Sequence, residues 1–236
     1  MKQKIAIITP VPEMIYAYIN NSITRKAVEK DIVDLKIYNL RNYSKGKYRQ
    51  IDDTPFGGGP GMVMMAEPLF RALDDVIEKF GGTKGLKVLF PSPQGQLWKQ
   101  EIAENFTQLE KLIIICGHYK GIDQRVIDKY VTDEYTVGDF IMTCGEIPAM
   151  MIIDSIVRLQ PGVLNDIESS KTDTFSSELL DTPYYTQPRE IKGMQVPDVL
   201  LSGNHGLIDS WKEKQRIEIT KLKRPDIWKK YNNNLE

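Results

Sequence analysis

Short apolar runs recur along the first half of the chain, and each ends at a glycine or a proline. The runs cover residues 4–9, 87–90 and 112–116, and a segment with helical spacing follows each one, the first from about residue 13. Apolar runs bounded by Gly or Pro are typical of buried β-strands. Strands that alternate with amphipathic helices predict an α/β fold with a mainly parallel sheet, in which loops at the carboxyl ends of the strands are available to a ligand.

The spacing of apolar residues predicts three further helices. The first begins at residues 67–68, places its apolar side chains on one face and ends at the glycine pair 81–82. The second carries Trp98, Ile102, Phe106 and Leu109 at helical spacing. The third covers residues 147–159 and is apolar almost all round, which predicts burial on several sides, in the core or against a second subunit.

The last third of the chain has a different pattern. Residues 161–171 lack periodicity and are typical of a linker, and the prolines and basic helical segment that follow indicate a second, smaller module. The predicted organisation is a catalytic domain over residues 1–160, a linker over 161–175 and a helical domain over 176–236.

Composition narrows the class of protein. The net charge of −1 argues against a uniformly basic nucleic-acid binder, yet residues 25–49 and 212–230 each carry a net charge of +5. Either patch alone is equally consistent with a solvated helix face, whereas two patches favour a polyanionic partner. No apolar run is long enough for a membrane span or a signal peptide, so we expect a cytoplasmic protein without a membrane partner. Cys116 and Cys144 lack zinc-site spacing, and we expect both to be reduced and buried.

The most unusual segment is the glycine-rich stretch TPFGGGPGM at residues 54–62. It lacks the Lys-Ser/Thr pair of a phosphate-binding P-loop, and its prolines disfavour the strand–turn–helix of a dinucleotide fingerprint. Three further loops, at residues 91–95, 117–123 and 137–146, are rich in Gly, Pro and small polar residues. Each loop alone is consistent with an ordinary turn, but together they could line a pocket for an adenine or a methionine-like group.

Ten short motifs in a fixed order give the chain a resemblance to a known family. Among them are DDTPFGGGPGM, SPQG, CGHYKGID, VGDF and GEIPAM. All ten lie at residues 12–14, 52–62, 92–95, 116–123, 137–140, 145–150, 154–158, 173–175, 179–188 and 196–205. In their order and spacing the chain resembles the bacterial tRNA (guanine-N1-)-methyltransferases of the SPOUT superfamily.

The resemblance implies a homodimer whose first domain contains a deep trefoil knot, a rare exception to the rule that chains do not thread loops. The knot would form the binding site for the methyl donor S-adenosylmethionine. The cofactor-binding residues implied by the motifs are Phe90, Pro91, Ser92, Pro93, Gln94, Gly117, Tyr119, Gly121, Val137, Gly138, Phe140, Met142, Cys144, Gly145 and Pro148.

The resemblance also implies the reaction, which is methylation of N1 of the guanine 3′ of the tRNA anticodon. Asp173 would act as the general base for the N1 proton, and Arg158 would stabilise the negative charge that develops on O6, in a site assembled across the dimer interface. Asp154, four residues before Arg158, would support it. The substrate-binding residues implied by the motifs are Asp52, Gly57, Gly58, Gly59 and His205.

The partner implied is the anticodon stem-loop of a tRNA, because a base that reacts at its Watson–Crick edge must leave its stack. The two basic patches would contact phosphates. The family is reported to depend on Mg²⁺, so this ion is a candidate cofactor, although no metal-ligand spacing is visible and we predict no metal ligands.

The chain departs from the family pattern at several positions. His118 and Lys120 stand where the family pattern has an arginine and an acid, and Cys144 replaces a glycine. Two alternative functions are considered. Ribose 2′-O-methylation of RNA would leave Asp173 and the three glycines at 57–59 unexplained, and the departures at 118 and 120 are also consistent with an RNA-binding relative that has lost catalysis.

Overall fold

The computed structural model describes residues 2–164, 174–175 and 179–233. By its contacts the chain divides into two compact units, Met1–Asn165 and Asp166–Glu236. The bounds of the predicted linker stay a prediction, because residues 165–173 and 176–178 lie outside the described residues.

The first unit is built on a five-stranded sheet in which every pair of neighbouring strands is parallel. Its strands are β1 (Gln3–Thr9), β2 (Val33–Asn39), β5 (Leu86–Leu97), β6 (Lys111–Ile115) and β7 (Asp133–Thr136), in the order β2-β1-β6-β5-β7. The prediction of an α/β fold with a mainly parallel sheet is therefore confirmed, as are the three apolar runs that form β1, β6 and the first part of β5.

Helices cover both faces of the sheet. They are α1 (Pro12–Ile19), α2 (Ser22–Glu29), α3 (Ala66–Lys79), α4 (Gln100–Phe106), α5 (Gln124–Tyr130) and α6 (Glu146–Val157), and a 3₁₀ helix spans Leu40–Tyr43. Ile5 and Ile7 of β1 point into a core shared with α1, α2, α4 and α6, while Ala6 and Ile8 point into a second core shared with α3 and α5. This alternation is the period of two expected of a strand buried on both faces.

The middle of β5 differs from the sequence-based expectation. Residues 91–95 were predicted as a loop, but β5 runs from Leu86 to Leu97 and pairs twice with β7. Pro91 and Gln96 both align with Tyr135, so residues 92–95 form an irregularity within the strand. A Cβ on Gly95 would lie 2.4 Å from the backbone carbon of Glu134, so only glycine allows β5 and β7 to approach this closely.

The glycine-rich segment connects the two strands of a small antiparallel hairpin, β3 (Asp52–Asp53) and β4 (Val63–Met64). Backbone hydrogen bonds join the hairpin to the loop of residues 117–123, from Met64 to Gly121, from Lys120 to Met62 and from Asp123 to Met64 (3.0 Å each). Gly57, Gly58 and Gly59 all have positive φ, and each has open space where a Cβ would lie. The loop therefore projects from the hairpin with a backbone that other residues rarely adopt.

The second unit contains a short hairpin and a helical tail. Its elements are β8 (Glu190–Ile191), β9 (Met194–Gln195), α7 (Asp198–Leu201), α8 (His205–Lys223) and α9 (Pro225–Asn233). The side chain of Asn204 caps α8 by accepting a hydrogen bond from the Leu207 amide, and Lys221 lies 4.4 Å from the ring centre of Trp228 in α9. The two longer helices, α8 and α9, include the basic segment at residues 212–230. In the part of the chain that the structure describes, a helix with the length and apolarity to cross a membrane is not found.

Candidate functional site

A cavity of about 320 Å³ opens where β6 and β7 end and β5 changes register. Thirteen of the fifteen predicted cofactor residues line it. They are Phe90, Pro91, Ser92, Pro93, Gly117, Tyr119, Gly121, Val137, Phe140, Met142, Cys144, Gly145 and Pro148. Segments that lie up to 58 residues apart in sequence thus share one wall, as the resemblance implies.

Two predicted residues lie outside this lining. Gln94 instead borders a shallower depression beside Thr132 and Asp133. Gly138 lies next to a lining residue instead, because a Cβ there would lie 2.4 Å from the ring of Phe140. The Phe140 ring, which does line the cavity, can therefore lie against the backbone at position 138.

Six lining residues were not predicted from the sequence, namely His118, Lys120, Tyr135, Thr136, Ile141 and Thr143. All but Tyr135 and Thr136 fall inside loops that the glycine pattern had already marked. Tyr135 and Thr136 belong to β7, a short strand with no apolar run to identify it.

The two principal loops of the cavity are joined by close backbone contact. The Gly145 amide donates a hydrogen bond to the Gly117 carbonyl (2.8 Å), and His118 and Cys144 form an isolated antiparallel β-bridge. A Cβ on Gly145 would lie 2.4 Å from the Gly117 nitrogen. Glycine at 145 is therefore required for the two loops to meet.

A buried carboxylate lies beneath the cavity wall. Glu146, the first residue of α6, is fully buried and accepts a hydrogen bond from the Thr9 hydroxyl at the end of β1. Its other oxygen lies 2.7 Å from Nε2 of His118. Burial opposes ionisation of Glu146, but the hydrogen bonds of His118 and Thr9 outweigh it and hold the pKa of this carboxyl below its ordinary value. The pair joins the loop of residues 117–123 to the start of α6.

The cysteines have different environments. Cys116 is buried, and burial together with the nearby Glu146 raises the pKa of its thiol well above the ordinary value. The expectation that Cys144 is also buried was wrong, because this residue is partly exposed on the cavity wall. Both cysteines are free thiols, as expected.

Tyr119 connects the cavity to the glycine-rich hairpin. Its hydroxyl donates a hydrogen bond to the carboxylate of Asp52 (3.1 Å) in β3. Burial and the Asp52 carboxylate raise the pKa of the Tyr119 hydroxyl, while Arg41 opposes the shift. Arg41 belongs to the first basic patch, so this network brings a predicted substrate residue, a cavity residue and the basic patch together.

The remaining predicted residues are placed as follows. Arg158 directly follows α6, and its backbone amide donates to the Asp154 carbonyl (3.0 Å). The Asp154 carboxylate accepts a hydrogen bond from the Tyr18 hydroxyl (2.6 Å). Burial is the main cause of the raised pKa of Tyr18, and this hydrogen bond adds to it. His205 is the first residue of α8 in the second unit. Asp173 lies outside the described residues.

No group of three or more His, Cys, Asp or Glu side chains suited to a metal ion occurs among residues 2–164, 174–175 and 179–233. The described part of the cavity wall is instead formed by apolar side chains, backbone groups and a few polar side chains. Such a surface suits an organic ligand with a flat heterocycle.

Comparison with known proteins identifies close relatives of the chain. A family model described as tRNA (Guanine-1)-methyltransferase TrmD matches residues 3–230. The chain is 45% identical to the tRNA (guanine-N(1)-)-methyltransferase of Clostridioides difficile over 226 residues, which cover 96% of this chain and 97% of the relative. It is 47% identical over 227 residues to the protein of the same name from Brevibacillus brevis, covering 96% of this chain and 92% of the relative.

Proposed function

The chain belongs to the tRNA (guanine-1)-methyltransferase family, and from this membership we propose that it transfers a methyl group from S-adenosylmethionine to N1 of the guanine 3′ of a tRNA anticodon. The observation that carries the proposal is the convergence of thirteen predicted cofactor residues on one cavity. Their positions in sequence alone would not require them to meet.

The size and lining of the cavity support its assignment to S-adenosylmethionine. Its volume lies within the range of small-molecule sites, roughly 300–1,000 Å³. Phe90, Val137 and Phe140 offer apolar surface for an adenine. When bound, S-adenosylmethionine supplies a methyl group on a positively charged sulfonium, which is already activated for transfer.

Asp173 and Arg158 are proposed as the catalytic pair. Guanine N1 carries a proton at neutral pH, so a carboxylate positioned at N1 accepts that proton as N1 attacks the methyl carbon. Negative charge then moves onto O6, where the Arg158 guanidinium stabilises the transition state more than the ground state. The assignment of Asp173 rests on its place in the motif at residues 173–175.

The hairpin of β3 and β4 is proposed as the wall against which the target guanine lies. Gly57, Gly58 and Gly59 leave open space beside their backbone, and Phe56 is fully exposed next to them. A flat base can approach such a surface closely and stack on an aromatic ring. Arg41 and the rest of the basic patch at residues 25–49 would contact phosphates, as would the patch at 212–230 in the second unit. His205, also in the second unit, would contact the substrate.

We include a homodimer in the proposal. Ile147 and Met151 lie on α6, seven of whose twelve residues are buried, yet each is more than one third exposed. A second subunit would cover these apolar side chains and complete the active site, as the resemblance implies. The trefoil knot, the cytoplasmic location and Mg²⁺ as a further cofactor rest on the resemblance alone.

The experiment that tests the proposal measures transfer of labelled methyl groups from S-adenosylmethionine to tRNA transcripts with either G or A 3′ of the anticodon. We expect incorporation into the G transcript and none into the A transcript. Equal labelling of both transcripts would favour ribose methylation, and labelling of neither would favour a binding protein without catalysis.

A further inference from the structure

The side chains that line the cavity have an unusual charge composition. No carboxylate side chain lies among the described lining residues, whereas the lining includes one lysine, Lys120. The neighbouring His118 is already engaged with Glu146 (2.7 Å), which lies behind the wall. Among the described residues, no carboxylate lies within ion-pairing distance of the Lys120 ammonium. The described part of the lining therefore presents a cation without a neighbouring carboxylate.

Lys120 is held in place by its surroundings. Its amide donates a hydrogen bond to the Met62 carbonyl (3.0 Å), and the preceding residue, Tyr119, has a positive φ of 60°. The aliphatic part of the side chain crosses Gly61 of the hairpin, where an added Cβ would lie 3.1 Å from Cγ and 3.2 Å from Cε of Lys120. The lysine stem is thus packed against the hairpin at the edge of the cavity, and less conformational entropy is lost when its ammonium binds an anion.

From this geometry we propose that Lys120 recognises the carboxylate at the methionine end of S-adenosylmethionine, and so selects cofactor molecules that carry it. The inference rests on the proposed function, since it takes the cavity to be the S-adenosylmethionine site. The cofactor has one carboxylate, one ammonium and one sulfonium. A wall with a lysine and no described acidic side chain can pair only with the carboxylate, and it repels a ligand from which that group has been removed.

The proposal explains a departure from the family pattern. An acid at position 120 would attract the ammonium of the methionine end, whereas Lys120 reverses the charge presented there. The ligand can accommodate this reversal because its methionine end carries both charges on one carbon atom. A small rotation at the cavity mouth would exchange the group that faces position 120.

The test uses the full chain without RNA and measures binding by calorimetry, so that it does not depend on turnover. The two ligands are S-adenosylhomocysteine and its decarboxylated analogue, which retains the adenosine and the amine. We expect the unaltered protein to bind S-adenosylhomocysteine about fivefold more tightly, as one partly exposed ion pair would give. Lys120→Gln should remove this preference, Lys120→Arg should retain it, and Lys120→Glu should favour the amine analogue.

Lys84→Gln, at an exposed lysine outside the cavity, is the matched control and should leave the preference unchanged. Thermal unfolding of each variant confirms that it is folded. A preference that persists in Lys120→Gln, or is absent from the unaltered protein, would overturn the inference while leaving the proposed function intact. Failure of the unaltered protein to bind either ligand would contradict the cofactor site itself, and the inference with it.

Discussion

The buried carboxylate of Glu146 gives the most quantitative prediction. Glu146→Gln keeps the size of the side chain but removes its charge. Glu146 is fully buried, and its two oxygens contact the Thr9 hydroxyl and the His118 ring. Hydrogen bonds to a charged group contribute about 1.5–3 kcal/mol each, and a carboxylate in the first turn of a helix adds about 0.3–1 kcal/mol.

The cost of burying the charge offsets part of this stabilisation, because the carboxylate loses its hydration. We therefore expect Glu146→Gln to lower the free energy of unfolding by about 2 kcal/mol at pH 7. At roughly 2–4 °C per kcal/mol for a chain of this length, the melting temperature should fall by about 6 °C. The affinity for S-adenosylhomocysteine should fall as well, since His118 lines the cavity.

The sign of the pH dependence follows from the direction of the pKa shift. The pKa of Glu146 is held below its ordinary value of 4.5 in the folded chain. Its stabilisation is fully present above pH 4.5 and is lost as the pH falls through the lower, folded-state pKa. The difference in stability between the unaltered protein and Glu146→Gln should therefore shrink as the pH falls below 4.5.

Urea denaturation followed by circular dichroism at several pH values measures this difference. Glu78→Gln, at an exposed glutamate of α3, is the control and should change stability by less than about 0.5 kcal/mol. Equal stability of Glu146→Gln and the unaltered protein at pH 7, or a difference that grows as the pH falls below 4.5, would refute the reasoning.

Three further substitutions test separate parts of the site. Gly145→Ala would place a methyl group 2.4 Å from the Gly117 nitrogen, so we expect stability to fall by about 1–3 kcal/mol and S-adenosylhomocysteine binding to be lost. The control Gly206→Ala, whose Cβ would have its nearest neighbour at 3.6 Å, should be tolerated, and tolerance of both changes would contradict the geometry. Gly58→Val should raise the KM for tRNA more than it weakens cofactor binding, and Gly193→Val, at the same φ of +77° in the turn between β8 and β9, is its control. A defect mainly in cofactor binding would indicate that the hairpin binds the cofactor rather than the guanine. Asp173→Asn should abolish turnover while S-adenosylhomocysteine still binds, and full activity would remove Asp173 as the base.

The fold was predictable where burial leaves a strong signal in the sequence. The strands β1 and β6 lie inside the sheet and read as continuous apolar runs, and α6 is apolar because it packs into the core. The edge strands β2 and β7 were not predicted, because an edge strand is less buried: polar residues interrupt the apolar residues of β2, and β7 is largely polar. The path of residues 91–95 was also missed, since two prolines and a glycine are typical of loops and the pairing with Tyr135 depends on a distant strand.

The candidate site was predictable through its motifs rather than through its chemistry. Glycines marked the loops that form the cavity, but no local pattern indicates that Gly117 and Gly145 meet or that Glu146 is buried beneath them. The contact between Tyr119 and Asp52 also joins residues far apart in sequence. Such contacts depend on the tertiary fold, which residue spacing alone does not specify.

The central claim is that this chain methylates N1 of guanine, and the product itself tests it most directly. A tRNA transcript methylated by the purified protein can be digested to nucleosides and analysed by chromatography and mass spectrometry. We expect 1-methylguanosine to be the modified nucleoside and to come from the position 3′ of the anticodon. A ribose-methylated nucleoside, or a methyl group on any other atom of guanine, would contradict it.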